Sequence, residues 1–475
     1  MQLSFHGAVG GVTGSCYLLE CAGKRVLLEC GLVQGERDAR QANRAPFPVP
    51  PASLDAVILS HAHIDHSGRL PMLVREGFEG PIHTHRATAD LCDIMLRDAA
   101  YLQEKDSETE NRKRARRGLG PLEPLYTMRD AEHAIRQFSP LEYDARAEVV
   151  PGIEVRLRDA GHILGSAIVE LWLSEHGRTR KLVFSGDLGL RGTPILRDPV
   201  VVEDADAVLL ESTYGDRLHR SREDSIGELG EVFAAAHADG GNILIPAFAV
   251  GRTQELLYHF ARHFDDWGLQ HWRVCLDSPM AIRATEVYEK YDDLYDRETA
   301  RLRREAGRRM ADKLEMIRTP QQSRALNKSR SGLVIVAASG MCEGGRVRHH
   351  LKNLLWRPRT HLVIVGYQAR GTVGRKLVDG HAYVSLWGEA IRVKAKVHTL
   401  GGFSAHADQA ELLDWYRGFR GAPPVWLVHG EDDARAGLRR ELERTTAARV
   451  RVPRLGDVIE IGRLGGRGGR QPRGL

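Results

Sequence analysis

The chain is poor in the residues that would staple or anchor a fold. Its six cysteines, at positions 16, 21, 30, 92, 275 and 342, form no C-x-x-C pair, which argues against a zinc ribbon or a thioredoxin-type centre. No apolar run approaches the ~18 residues that cross a bilayer. The opening MQLSFHGAVGG has neither the basic nor the apolar stretch of a signal peptide. These absences predict a cytoplasmic chain with reduced thiols and no membrane partner. Charge of one sign is also scarce: 68 Lys and Arg face 63 Asp and Glu, leaving +5. That balance permits a nucleic-acid partner without arguing for one. With 42% hydrophobic and 28% charged residues the chain is not a disordered one. Its 475 residues exceed one ordinary core, so two domains are expected, one inserted in the other.

Histidine is plentiful, with 21 in the chain, and it concentrates in particular places. Up to about residue 200 the chain reads as short β-rich runs joined by glycine turns: RVLLECG (25–31), DAVILSH (55–61), IEVRLRDAGH (153–162), AIVELWL (167–173) and KLVFSGD (181–187). Helical patterning lies between His66 and Glu142, so the first part predicts a layered α/β sandwich. Residues 104–117, EKDSETENRKRARR, read either as a solvated helix face or as a phosphate-contacting patch. From about 205 a second pattern alternates strands such as GNILIPAF (241–248) and SGLVIVAASG (331–340) with helices, as in a mostly parallel sheet. The last stretch, 463–475, carries Arg463, Arg467, Arg470 and Arg473 among glycines with no acid. It predicts a disordered tail that holds most of the net charge.

The strongest chemical signal is His61-Ala-His63-Ile-Asp65-His66, directly after the strand DAVILS. Residues two apart on an extended chain face one side, so His61 and His63 can share an ion. Asp65 and His66 face another way and can serve a second. His162, Asp187 and His429 each follow a strand and lie beside a glycine. The count fits two ions: His61, His63, His162 and Asp187 for one; Asp65, His66, His429 and a shared Asp187 for the other. Mixed imidazole and carboxylate ligands suit two Zn2+, with Mn2+ also admitted. Such a pair activates water and stabilises charge on an attacked oxygen, which indicates a hydrolase without naming the ester.

These motifs resemble the metallo-β-lactamase fold. Further blocks resemble its β-CASP nucleases, the branch that includes ribonuclease J and the nuclease subunit of mRNA 3′-end cleavage factors. The blocks are Glu211-Ser-Thr-Tyr-Gly-Asp-Arg217, IPAFAVGRTQE (245–255), LDSPMA (276–281), ASGMCEGGR (338–346), VGYQARGTVGR (365–375), GGFSAHAD (401–408) and VHGE (428–431). The resemblance implies an αββα sandwich of residues 1–207 and 393–462, with a β-CASP α/β domain of residues 208–392 inserted and capping the metal site. It implies a ribonuclease, endonucleolytic or 5′-exonucleolytic, leaving 5′-phosphate and 3′-hydroxyl ends. The implied catalytic residues are His406, Glu211 and Asp65, with His406 as proton donor and Glu211 holding its ring. His429, where DNA-repair members typically carry Val, favours RNA. Ser339, Gly340, Gly402, Ser404 and His406 are the expected phosphate contacts. Glu29 stands where relatives often carry Asp and is expected to support the His-x-His loop from behind the ligands. His83, His85 and His398 are read as structural. The expected partners are RNA and, in a homodimer, a second copy of the chain. The chain ends without the additional C-terminal domain of ribonuclease J, which implies a shorter bacterial type. A lactonase or thioesterase of the same fold, a DNA nuclease and a non-catalytic RNA-binding homologue are the rival readings.

Overall fold

The computed structural model describes residues 1–35, 38–305, 307–366, 368–369 and 371–464. Of the expected disordered tail, 463–475, Arg463 instead ends a short 3-10 helix and Leu464 packs against the first-unit core, where its carbonyl accepts from Arg180; the rest lies outside the described residues. The chain forms two compact units, one of residues 1–191, 198–218 and 406–475 and one of residues 192–197 and 219–405.

The first unit is built on two seven-stranded sheets. One runs in the spatial order Val458–Glu460, Gln2–Phe5, Tyr17–Cys21, Lys24–Leu28, Ala56–Ile58, Ile82–His85 and Phe138–Leu141. The other runs Val450–Arg451, Val425–Val428, Ala207–Glu211, Arg178–Phe184, Ala167–Glu175, Ile153–Asp159 and Arg146–Val150. Alternation selects the inner face. Along Ile153–Asp159 the residues Ile153, Val155 and Leu157 are buried, and they join Leu3, Phe5, Leu19 and Leu28 of the other sheet in one core. Helices cover the outer faces. Gln409–Arg417 and Asp432–Thr445 bury Leu412, Trp415, Leu438 and Leu442 against Val183, Leu210 and Leu427 of the second sheet. The Arg86–Ala115 helix packs against Met128–Arg136. The charged stretch 104–117 is thus mostly the far half of a helix, with Arg112, Lys113, Arg116 and Arg117 exposed.

The second unit centres on a six-stranded sheet whose strand pairs are all parallel. Both faces are covered, so its strands are continuous apolar runs. Ile243, Ile245, Val334 and Val336 enter one core; Leu244, Ile335, Leu362 and Ile364 enter the other. The units divide at 218/219 and 405/406, where the sequence reading puts 207/208 and 392/393. Strand pairing accounts for the difference. Ala207–Glu211 pairs in parallel with Arg178–Phe184 of the first unit, and Lys396–Leu400 pairs with Thr360–Val365 of the second. Among the described residues no helix is long and apolar enough to cross a membrane, and all six cysteines are buried free thiols.

Candidate metal centre

In the first unit, strand ends deliver the chemistry to one place. His61 and His63 follow Ala56–Ile58, and Asp65 and His66 lie on the short Ile64–Ser67 helix. His162 follows Ile153–Asp159, Asp187 follows Arg178–Phe184, Glu211 ends Ala207–Glu211, and His429 follows Val425–Val428. Two of the donor groups close enough to hold an ion are His61, His63, His162 and Asp187, and Asp65, His66 and His429. In the first, His63 Nδ1 lies 3.1 Å from both His61 Nε2 and His162 Nε2. Asp187 Oδ2 is 3.5 Å from His61 Nε2 and 3.7 Å from His162 Nε2. In the second, His66 Nε2 and His429 Nε2 are 3.1 Å apart. Asp65 Oδ2 is 3.7 Å from the former and 3.4 Å from the latter. Asp187 reaches this group too, at 3.4 Å from His66 Nε2.

Neighbours settle which nitrogen His66, His61 and His429 turn to the site. Glu29, fully buried, accepts from Ser60 N at 2.6 Å, from Ser60 Oγ at 2.9 Å and from His66 Nδ1. His66 therefore turns Nε2 to the site. Burial pulls this ring down, but Asp187 and Asp65 prevail and raise it well above the usual imidazole range. Ser60 spends its only proton on Glu29, so at 3.0 Å it accepts from His61 Nδ1–H, and His61 also presents Nε2. Thr213 Oγ1 repeats the device: it donates to Glu211 Oε2 at 2.6 Å and accepts from His429 Nδ1 at 3.1 Å. Burial, with His66 nearby, holds His61 well below the usual imidazole range, and burial holds His63 at about 4. Burial raises the Asp65 carboxyl, but His66 and His429 outweigh it and hold it at about 2. Asp187 is likewise raised by burial and, on balance, held well below the carboxylate range by His429, His66 and His61.

This donor set fits divalent metal. Donor atoms 3.1–3.7 Å apart match the ~3.3 Å that separates ligands held at ~2.05 Å on a tetrahedral zinc. Asp187 Oδ1 is buried and accepts no hydrogen bond, an orphan that a cation would satisfy.

Beside the donor groups, His406 Nδ1 lies 3.4 Å from Glu211 Oε1 and 3.9 Å from Asp187 Oδ2. Glu211 is fully buried and also accepts from Leu188 N at 2.6 Å. Burial pulls His406 down, but the charge and hydrogen bond of Glu211 prevail and raise it to about 9.

Family comparisons place this geometry. The metallo-beta-lactamase superfamily matches residues 9–232, the Beta-Casp domain residues 253–377, and the Zn-dependent metallo-hydrolase RNA specificity domain residues 390–453. Ribonuclease TTHA0252 of Thermus thermophilus is 40% identical over 97% of this chain and 100% of its own length. The chain is a β-CASP metallo-hydrolase. The transcription termination factor FttA of Methanocaldococcus jannaschii is 29% identical over 97% of this β-CASP metallo-hydrolase and 72% of its own length. The FttA of Pyrococcus abyssi is 32% identical over 86% and 62%. A solved protein of unknown function from Enterococcus faecalis shares the fold, with a TM-score of 0.55 and 14% identity over 96% of this chain and 99% of its own. The αββα sandwich, the inserted β-CASP domain and the hydrolase class are thus those implied by the motifs.

The expected phosphate contacts divide. His406 lies at the metal-donor cluster, whereas Ser339, Gly340, Gly402 and Ser404 belong to the second unit. Ser339 and Gly340 follow Leu333–Ala337, and Gly402 and Ser404 follow Lys396–Leu400. The Gly402 N–H donates to Ser225 Oγ at 2.9 Å, and a Cβ there would lie 2.5 Å from Ser221 O. That amide is therefore taken, and the glycine serves close packing rather than phosphate. Among the described residues, His83, His85 and His398 join none of the donor groups. His85 caps the Arg86–Ala115 helix and stacks on Tyr143, and His398 stacks on His361. Ser60 and Thr213 are the site residues that the sequence reading leaves out. Their signal is adjacency, Ser60 to His61 and Thr213 two residues after Glu211, but hydroxyls beside ligands are too common to single out.

Proposed function

We propose that this chain is a two-zinc ribonuclease that hydrolyses RNA phosphodiesters to 5′-phosphate and 3′-hydroxyl ends. The observation that carries the reading is the meeting of two imidazole–carboxylate donor groups at Asp187, with the His406–Glu211 pair beside them. His61, His63, His162 and Asp187 would hold one ion, and Asp65, His66 and His429, with Asp187 in reach, would hold the other. When bound, the ions supply a nucleophile from water at neutral pH and neutralise charge on the phosphoryl oxygens. The chain's own groups do the rest. Glu29 and Ser60 orient His66 and His61, and Thr213 orients His429 while bonding Glu211. Glu211 keeps His406 protonated, and His406 donates to the leaving 3′ oxygen or a non-bridging oxygen. The RNA substrate agrees with the name of the Thermus relative and with the RNA specificity domain over residues 390–453.

End-labelled single-stranded RNA, digested by the zinc-loaded chain beside its Asp187→Ala variant, tests this. Internal fragments mark an endonuclease and mononucleotides from the 5′ end an exonuclease; both must vanish in the variant. Intact RNA with the wild type, alongside turnover of a lactone or thioester, would replace the reading with a small-molecule hydrolase.

A further inference from the structure

Across its second unit the chain carries a feature that the metal chemistry does not use. Tyr383–Leu386 and Glu389–Arg392 pair as an antiparallel hairpin with Trp387 and Gly388 at its two-residue turn. Val384, Leu386 and Ile391 point into the apolar core. The opposite side presents aromatics to water: Tyr383 is 56% exposed and Trp387 53%. The Val347–Leu354 helix runs alongside. Near the tip, Arg348 lies over the Trp387 ring at 4.6 Å. Also at the tip, Lys352 pairs with Glu389, the residue after the turn. At the base, Leu355 O accepts from Lys394 N and Ala395 N at 2.8 Å, and the next residue, Trp356, is 52% exposed with Arg357 at 5.4 Å from its ring. Tyr383 has Arg392 directly across the strand pair. Each of the three exposed aromatics therefore has an arginine beside it.

Trp387 is also the wrong residue for its backbone. Its φ is +52° and that of Gly388 +83°. A turn with both central residues left-handed favours Asn-Gly, and a bulky side chain there is a conformational outlier. Such an outlier points to a use for the side chain rather than for the turn.

We propose that this hairpin and the neighbouring helix form a stacking platform for single-stranded RNA, separate from the metal centre. The proposal rests on the ribonuclease reading. Exposed rings stack with any base, and Arg348 and Arg392 beside them meet the phosphates, while Arg357 is held by Ser329 O and Asn327 O at 2.9 and 2.8 Å. From Arg348 to its end at Leu354 the helix advances about 9 Å, with Trp356 in the turn beyond, room for about two to three bases stacked at ~3.4 Å. The arginines also disfavour a second copy of the chain as occupant. A two-fold contact sets the same patch against itself, and Arg348, Arg357 and Arg392 would then face one another with Glu389 already paired to Lys352.

The test compares the zinc-loaded wild type with Trp387→Asn and with Trp387→Asn combined with Tyr383→Ala. Asparagine suits the left-handed turn, so the hairpin is kept while the ring is lost. Substrates are an unstructured 30-nucleotide RNA and a four-nucleotide RNA. The platform predicts a KM for the long RNA raised five- to tenfold with kcat unchanged, no change on the short RNA, and recovery in Trp387→Phe. A purely structural turn predicts a higher melting temperature with both KM values unchanged, and that result overturns the proposal. So does a change of mass by light scattering without a change in RNA affinity, which would make the patch a self-association face. If the wild type cuts neither RNA, the ribonuclease reading fails by itself. Fluorescence anisotropy of the 30-nucleotide RNA then decides the platform alone: weaker binding by the variants keeps it, and equal binding removes it.

Discussion

At the scale of single residues, His406 is the group whose charge its surroundings control most clearly. Glu211, fully buried, holds the ring 3.4 Å away in its protonated form, and the metal ligands lie on other side chains. His406→Ala is therefore expected to keep both metal ions, measured by elemental analysis, while turnover on RNA falls by about 10²–10⁴. Loss of metal together with turnover would instead make His406 a ligand. The candidate metal donors are legible because four of them fall within six residues, 61–66, and the others follow strands beside glycine. The nitrogen that each ring offers is not. It depends on Glu29, Ser60 and Thr213, and Thr213 meets a ring 216 residues away.

Between residues and sheets, the Ile64–Ser67 helix shows how an element is seated. Gly31 lies so close beneath it that a Cβ would sit 1.7 Å from Asp65 O and 2.4 Å from Asp65 C. Both are backbone atoms that cannot rotate away. Gly31→Ala must push the helix, and with it Asp65 and His66, out of place. We expect the second ion to be lost, read as metal content falling from about two to one per chain. A second element-scale case is Glu170, buried on the Ala167–Glu175 strand, where Arg156 Nε and Lys181 Nζ approach at 2.5 and 2.6 Å. Burial raises this carboxyl, but the two cations prevail and hold it below its usual 4.5. Its stabilisation is complete above that ordinary value and is lost as pH falls through the depressed folded value. Glu170→Gln should cost about 3 kcal/mol at pH 7, because Lys181 is left buried with less compensation. In urea titrations the gap to the wild type should narrow as pH drops below 4.5; a gap constant with pH would refute the ionic account.

On the scale of the whole molecule, the chain leaves the first unit after Leu218 and re-enters it at His406. The donors come from both sides of that excursion, with His61 and His63 before it and His429 after it. Metal binding is thereby linked to closure of the first unit. Chelation is expected to abolish RNA cleavage and to lower the melting temperature by about 10 °C, with both restored by Zn2+. An unchanged melting temperature on verified metal removal would break that link.

Sequence by itself determined the strands, the fold class and the family, and it named the candidate metal donors. Each is written locally: alternation along a strand, an apolar run for a strand covered on both faces, or imidazoles two residues apart. The tertiary structure decided what depends on neighbours distant in the chain. Lys396–Leu400 reads as a strand, but only its pairing with Thr360–Val365 assigns it to the second unit. Gly402 reads as an open amide, but Ser225 takes it. Asp187 reads as a carboxylate shared by two donor groups from the ligand count alone, and the fold sets its Oδ2 3.5 Å from His61 Nε2 and 3.4 Å from His66 Nε2. Periodicity and spacing are properties of a segment, whereas register, tautomer and the partner that occupies an amide are properties of what faces it across the fold.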